Sequence, residues 1–179
     1  KELEKKKTSV VKPANLVKAA AEISGYRIPV SPAETMMVGR IQREGYVVEK
    51  HLMKGEGDYW VPYILMKPEA TTEKAVIYLD PHGKGGDAGV GGEMERIVKN
   101  GSMVLAPDLL NTGEMGQGNF TGDSNFEGNS YNLWFGGILI GRSVVATHAG
   151  DVNRLANVLK DTEGAKRIFG FGKQRMSAV

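Results

Sequence analysis

Two glycine-bearing stretches hold the residues best placed for chemistry. They are Asp80-Pro81-His82-Gly83-Lys84-Gly85-Gly86-Asp87 and Gly172-Lys173-Gln174-Arg175-Met176. The first follows an apolar run and offers three ways of meeting an anion. A phosphate-binding P-loop needs Gly-Lys-Ser/Thr closing the loop and opening a helix, whereas Lys84 opens this one, so that reading fails. A dinucleotide site is suggested by Gly83-x-Gly85-x-x-Ala88, with Asp108 at the distance of a ribose-binding acid. Against it, the loop runs on to Gly92 and leaves no helix N-terminus beneath a pyrophosphate. The third use is in acyl transfer, where the backbone at His82 and Gly83 would face developing negative charge. Glycine permits that close approach. A merely flexible loop is the plain alternative.

In acyl transfer such a loop works with a nucleophile on a sharp strand-to-helix turn, written Gly-x-Ser-x-Gly. Gly172 fits the first position of that pattern. Gln174 replaces the nucleophile and Met176 replaces the second glycine. An imidazole cannot deprotonate an amide for attack on an ester, so the serine route is closed at this turn. Ser177, on the following helix, would point elsewhere, and Ser143 reads as a surface or packing hydroxyl. The histidines, His51, His82 and His148, show no H-x-x-x-H spacing. His51 reads as a surface side chain of a strand and His148 as a hydrogen-bonded packing residue. Asp151 suits helix packing or pairing. Tyr131, Trp134 and Phe135 follow a long loop and suit either core packing or stacking on a sugar.

These residues must be positioned by ordinary globular elements. The 179 residues suit one domain, with 41% hydrophobic and 25% charged residues. Absence of cysteine excludes disulfides, Cys-ligated zinc and thiol catalysis, and no metal or other cofactor is expected. A net charge of +2 gives no case for nucleic acid or an anionic membrane surface. No apolar run spans a bilayer, and no signal peptide is visible. The chain starts at Lys1, which suggests a processed or partial form. Residues 1–40 read as a helical lead-in and linker: a mixed-charge start, a helix from Pro13 to Gly25, extended proline-rich chain, and a helical turn over Glu34 to Arg40. Residues 41–179 read as one α/β segment, incomplete at its C-terminal end. Gly45 to Met53 and Tyr59 to Met66 form an antiparallel hairpin around Gly55-Glu56-Gly57-Asp58. Buried strands follow at Ala75 to Leu79 and Met103 to Ala106, with a helix between them that stops at Gly101. A loop runs from Leu109 to Ser130. One long helix from Leu133 to Lys160 leads to a third buried strand, Ile168 to Phe171. Asn119-Phe120-Thr121 matches a glycosylation acceptor, a pattern that arises often by chance. An antiparallel hairpin followed by parallel β-α-β-α-β, with His-Gly leaving a strand, is the front portion of an α/β-hydrolase-type sheet.

Several segments carry a closer resemblance. They are Ser31-Pro32-Ala33-Glu34-Thr35-Met36-Met37-Val38-Gly39-Arg40, Lys54-Gly55-Glu56-Gly57-Asp58-Tyr59, Pro107-Asp108-Leu109, Gly113-Glu114-Met115-Gly116 and Gly141-Arg142-Ser143-Val144-Val145. Together they resemble the acetylxylan-esterase-like α/β hydrolases of bacterial polysaccharide-using systems. More narrowly, they look like the degenerate second hydrolase domain of two-domain members. The resemblance implies ester hydrolysis on acetylated plant polysaccharide, with the serine supplied by an intact domain, in a periplasmic or secreted protein. It maps His82 and Gly83 to the oxyanion loop and Gln174 to the nucleophile position. The expected partners are acetylated polysaccharide or another hydrolase domain. The last strand should have an open apolar edge that invites pairing with a second copy.

Overall fold

The computed structural model describes residues 13–29, 32–116, 122–126 and 129–179. Its main sheet has six strands: β1 (Thr35–Arg43), β2 (Tyr46–Lys54), β3 (Trp60–Pro68), β4 (Lys74–Leu79), β5 (Met103–Pro107) and β8 (Arg167–Gly172). Their order is β1-β2-β3-β5-β4-β8. The first three strands meander antiparallel, and β3 runs antiparallel to β5. β4 lies between β5 and β8 and is parallel to both. A short hairpin, β6 (Asn125–Phe126) with β7 (Asn129–Ser130), interrupts the long loop. The helices are α1 (Pro13–Ser24), α2 (Glu93–Lys99), α3 (Tyr131–Leu139) and α4 (Val144–Asp161). No helix among the described residues is long and apolar enough to cross a membrane.

Strand alternation divides the core between the two faces of the sheet. Leu65, Ile77 and Leu105 pack with Leu155 and Leu159 of α4 on one face. Ile64, Met66 and Val104 pack with Met94 and Val98 of α2 on the other. Helices on opposite faces of a partly parallel sheet leave the C-terminal strand ends free to carry a site.

Three elements differ from their sequence pattern. The turn expected as helical over Glu34 to Arg40 is strand β1, which pairs with β2 from Thr35↔Met53 to Arg43↔Tyr46 through a tight turn at Gly45, φ +81°. Long-range pairing overrides a weak local helical pattern here. The single long helix is two helices. Gly141, at φ +68°, ends α3, and Ser143 starts α4 by accepting a hydrogen bond from Ala146 N at 3.0 Å. The third parallel strand, β8, is not buried. It forms a sheet edge, and Phe169 and Phe171 are 54% and 42% exposed.

Candidate functional site

The ends of β4, β5 and β8 bring the two glycine-bearing stretches together. Asp80 caps β4. Its Oδ1 accepts the His82 backbone N–H at 2.8 Å and lies 2.9 Å from His82 Nδ1. The His82 side chain is 78% exposed. Gly83 takes φ +82° and donates its N–H to Asp80 O at 2.9 Å. A Cβ there would collide with the Asp108 carboxylate and stand 2.7 Å from Gly113 Cα, so the position requires glycine. The Lys84 backbone N–H then donates to Asp108 Oδ1 at 2.6 Å. Three successive amides of this loop are therefore bonded within the protein.

Asp108 follows β5 and is 1% exposed. Besides the Lys84 amide it holds the Lys84 ammonium and the Glu114 N–H, the latter at 3.0 Å. Lys84 Nζ also reaches Glu114 Oε1 at 2.5 Å. An acid so buried and so fully bonded has nothing left for a ribose, which removes the main support for a dinucleotide site.

The turn after β8 has the sharpness a nucleophile position requires. Gln174 stands at φ +49°, a left-handed conformation that residues other than glycine rarely adopt. A Cβ on Gly172 would lie 2.8 Å from both Met176 O and Ser177 Cα, so only glycine lets the chain fold back this closely. Met176 turns its side chain into the core beneath α4. Ser177 Oγ donates to Gln174 O at 2.7 Å and is committed to the turn.

Lys173 ties this turn to the glycine loop. Its backbone N–H donates to Leu79 O at 2.9 Å, its Nζ lies 3.4 Å from Asp80 Oδ2, and it pairs with Asp87. Tyr78 OH donates to the same Asp87 carboxylate. Lys173 and then Tyr78 hold Asp87 below the usual carboxylate range. Burial, with Asp87 beside it, pushes Tyr78 up to about 12. Sequence reading took Asp108 only as a ribose-binding acid and gave Lys173 no role of its own. The available signal was a charged residue just after a strand: Asp108 after β5 and Lys173 after β8.

A cleft of about 660 Å³ opens beside the turn, between α3, the start of α4 and the chain after β5. His148 is buried at its floor, and its Nε2 donates to Leu110 O at 2.7 Å, as a packing histidine should. Tyr131 and Trp134 line the wall, with Trp134 and Phe135 half exposed rather than in the core. Further from the strand ends, Glu56 of the β2–β3 turn makes a bidentate pair with Arg142. Beside it Tyr59 OH donates to Asp151 Oδ2 at 2.8 Å. Ser143, read as a surface or packing hydroxyl, is the N-cap of α4. His51 is largely covered, stacked on its cross-strand neighbour Tyr63 at 4.9 Å. Asn119 lies outside the described residues. No cluster of His, Asp and Glu able to hold a metal occurs among the described residues.

Solved acetyl xylan esterases share this architecture. A protein from Bacteroides fragilis assigned as an acetyl xylan esterase superposes with a TM-score of 0.73 at 19% identity, over 92% of this chain and 47% of its own. Over that stretch the two chains share one fold. Acetyl xylan esterase 1 from a Thermoanaerobacterium species gives a TM-score of 0.61 at 16% identity, covering 89% of this chain and 49% of that one. The enzyme from a Paenibacillus species gives 0.56 at 14% identity, over 89% and 50%. The chain thus spans about half the length of the acetyl xylan esterases it matches. No protein-family model and no curated protein matches its sequence.

Proposed function

We propose that this chain is an acetyl-xylan-esterase-type segment that has kept the shape of the hydrolytic centre and lost its chemistry. The observation that carries the reading is Gln174 at φ +49° on the turn after β8. In this fold class that turn presents the nucleophile, and a carboxamide cannot form an acyl-enzyme. A second observation supports it. The amides of His82, Gly83 and Lys84 are spent on Asp80 and Asp108, so these three offer no donor to an oxyanion. The role that remains is binding or support, with acetylated polysaccharide or a companion hydrolase domain as partner. The open edge of β8 is a place where another sheet, including that of a second copy, can pair. A fluorophosphonate serine probe tests the loss of the nucleophile. The folded chain should remain unlabelled under conditions that label an active serine esterase. Stoichiometric labelling of any serine would overturn the reading.

A further inference from the structure

The cleft beside the turn takes no part in the strand-end network, and its volume of about 660 Å³ lies in the range of small-ligand sites. Its walls are apolar: Leu110, Leu133, Trp134, Val145, Met176 and Val179. Four of its polar side chains are engaged within the protein. Thr112 Oγ1 donates to Leu109 O at 2.8 Å, and Ser143 Oγ accepts from Ala146 N at 3.0 Å. Ser130 Oγ accepts from Leu133 N at 3.0 Å and donates to Asp123. His148 Nε2 is taken by Leu110 O, and burial, helped by nearby Arg175, holds the imidazole below its ordinary pKa and neutral.

A sugar ring placed here would give up water for a wall with few open partners, and each hydroxyl left unpaired costs about 1–3 kcal/mol. A hydrocarbon chain loses nothing by the same move. The lining carries one formally charged side chain, Arg175. A guanidinium has five N–H donors, so it can take a carboxylate in addition to its contacts within the protein. One cation on the rim of an apolar cleft matches a ligand with one anionic end and an apolar body.

We propose that the cleft binds an apolar monocarboxylate, with its hydrocarbon part against Leu133, Trp134, Val145 and Met176 and its carboxylate on Arg175. The claim is independent of whether any ester is turned over, because it asks for no nucleophile: Arg175 and Met176 belong to the turn, but Gln174 and the glycine loop amides do not line the cleft.

Isothermal titration calorimetry with butanoate, hexanoate, octanoate, 1-octanol and xylotetraose tests it on the intact chain. Affinity should rise about 3- to 4-fold per methylene, the factor set by burying one CH2. Arg175→Gln should weaken octanoate about 10-fold or more and leave 1-octanol unchanged. Val145→Trp, which fills the cleft, should abolish binding of both. Leu133→Trp serves as a second filling variant, and thermal unfolding of each identifies the one that keeps the fold. Saturable binding of xylotetraose without octanoate, or no saturable octanoate binding below its micelle concentration, would overturn the proposal. So would an equal effect of Arg175→Gln on octanoate and octanol.

Discussion

Gln174 is where the sequence and the backbone disagree. A left-handed φ at a residue with a Cβ costs about 1 kcal/mol or more, and such strain persists only where the surroundings impose it. Here they do: Gly172 must pass within contact of Met176 and Ser177, while Met176 is anchored in the core. Gln174→Gly should therefore stabilise the chain by about 0.5–1 kcal/mol in urea unfolding, after allowing for the greater freedom glycine gives the unfolded state. A variant that is neutral or less stable would show that the turn carries no strain at this residue. The turn was legible in the sequence because Gly172 and the strand before it mark it. The ion pairs around it were not. Asp108 and Lys84 are 24 residues apart, and Lys173 and Asp87 are 86 apart. Nothing local in either stretch specifies its partner.

Among the elements, α4 (Val144–Asp161) both packs on the sheet and reaches the β2–β3 turn. Its inner face packs Leu155 and Leu159 on the strands, and Arg142, just before the helix, and Asp151, within it, tie it to the β2–β3 turn through Glu56 and Tyr59. Asp151 is 0% exposed, and its Oδ1 has no hydrogen-bond partner among the described residues. Burial, opposed by Tyr59 and Arg154, raises its pKa from 3.8 to about 6. The folded state then binds this proton more tightly than the unfolded chain does. The contribution is present below about pH 4 and is lost as pH rises toward 6 and beyond. Glu56 acts in the opposite sense. Its pairing with Arg142 lowers its pKa, so its contribution is present above the usual glutamate range and fades as pH falls below it. Asp151→Asn keeps an acceptor for Tyr59 and removes the buried charge. It should raise stability at pH 7 by on the order of 2–3 kcal/mol and flatten the stability profile between about pH 4 and pH 6. Denaturant unfolding across that pH range checks both effects, and an unchanged slope would mean that Asp151 does not titrate there. At this scale the hairpin, β4, α2 and β5 were legible because their apolar periods are uninterrupted. The α3–α4 break was missed because Gly141 and Ser143 lie within a continuous apolar pattern. β1 was missed because its pairing with β2 decides its conformation.

For the molecule as a whole, the two sheet edges are unlike. β1 carries a bulge between Met37 and Gly39, a device that spoils edge pairing. β8 pairs with β4 in continuous register over six residues and exposes Phe169 and Phe171. The short apolar run Ile168 to Phe171 foretold that β8 belongs to the sheet. It did not reveal that both faces of the strand would be thinly covered, because coverage depends on what packs beyond the strand. The shared architecture with acetyl xylan esterases covers about 90% of this chain, and the account proposed for it turns on Gln174. That account is tested most directly by following 4-nitrophenyl acetate release by the intact folded chain across increasing substrate. The prediction is release no faster than in buffer, unchanged by Gln174→Ala. Saturable, multiple-turnover release that survives purification would contradict it.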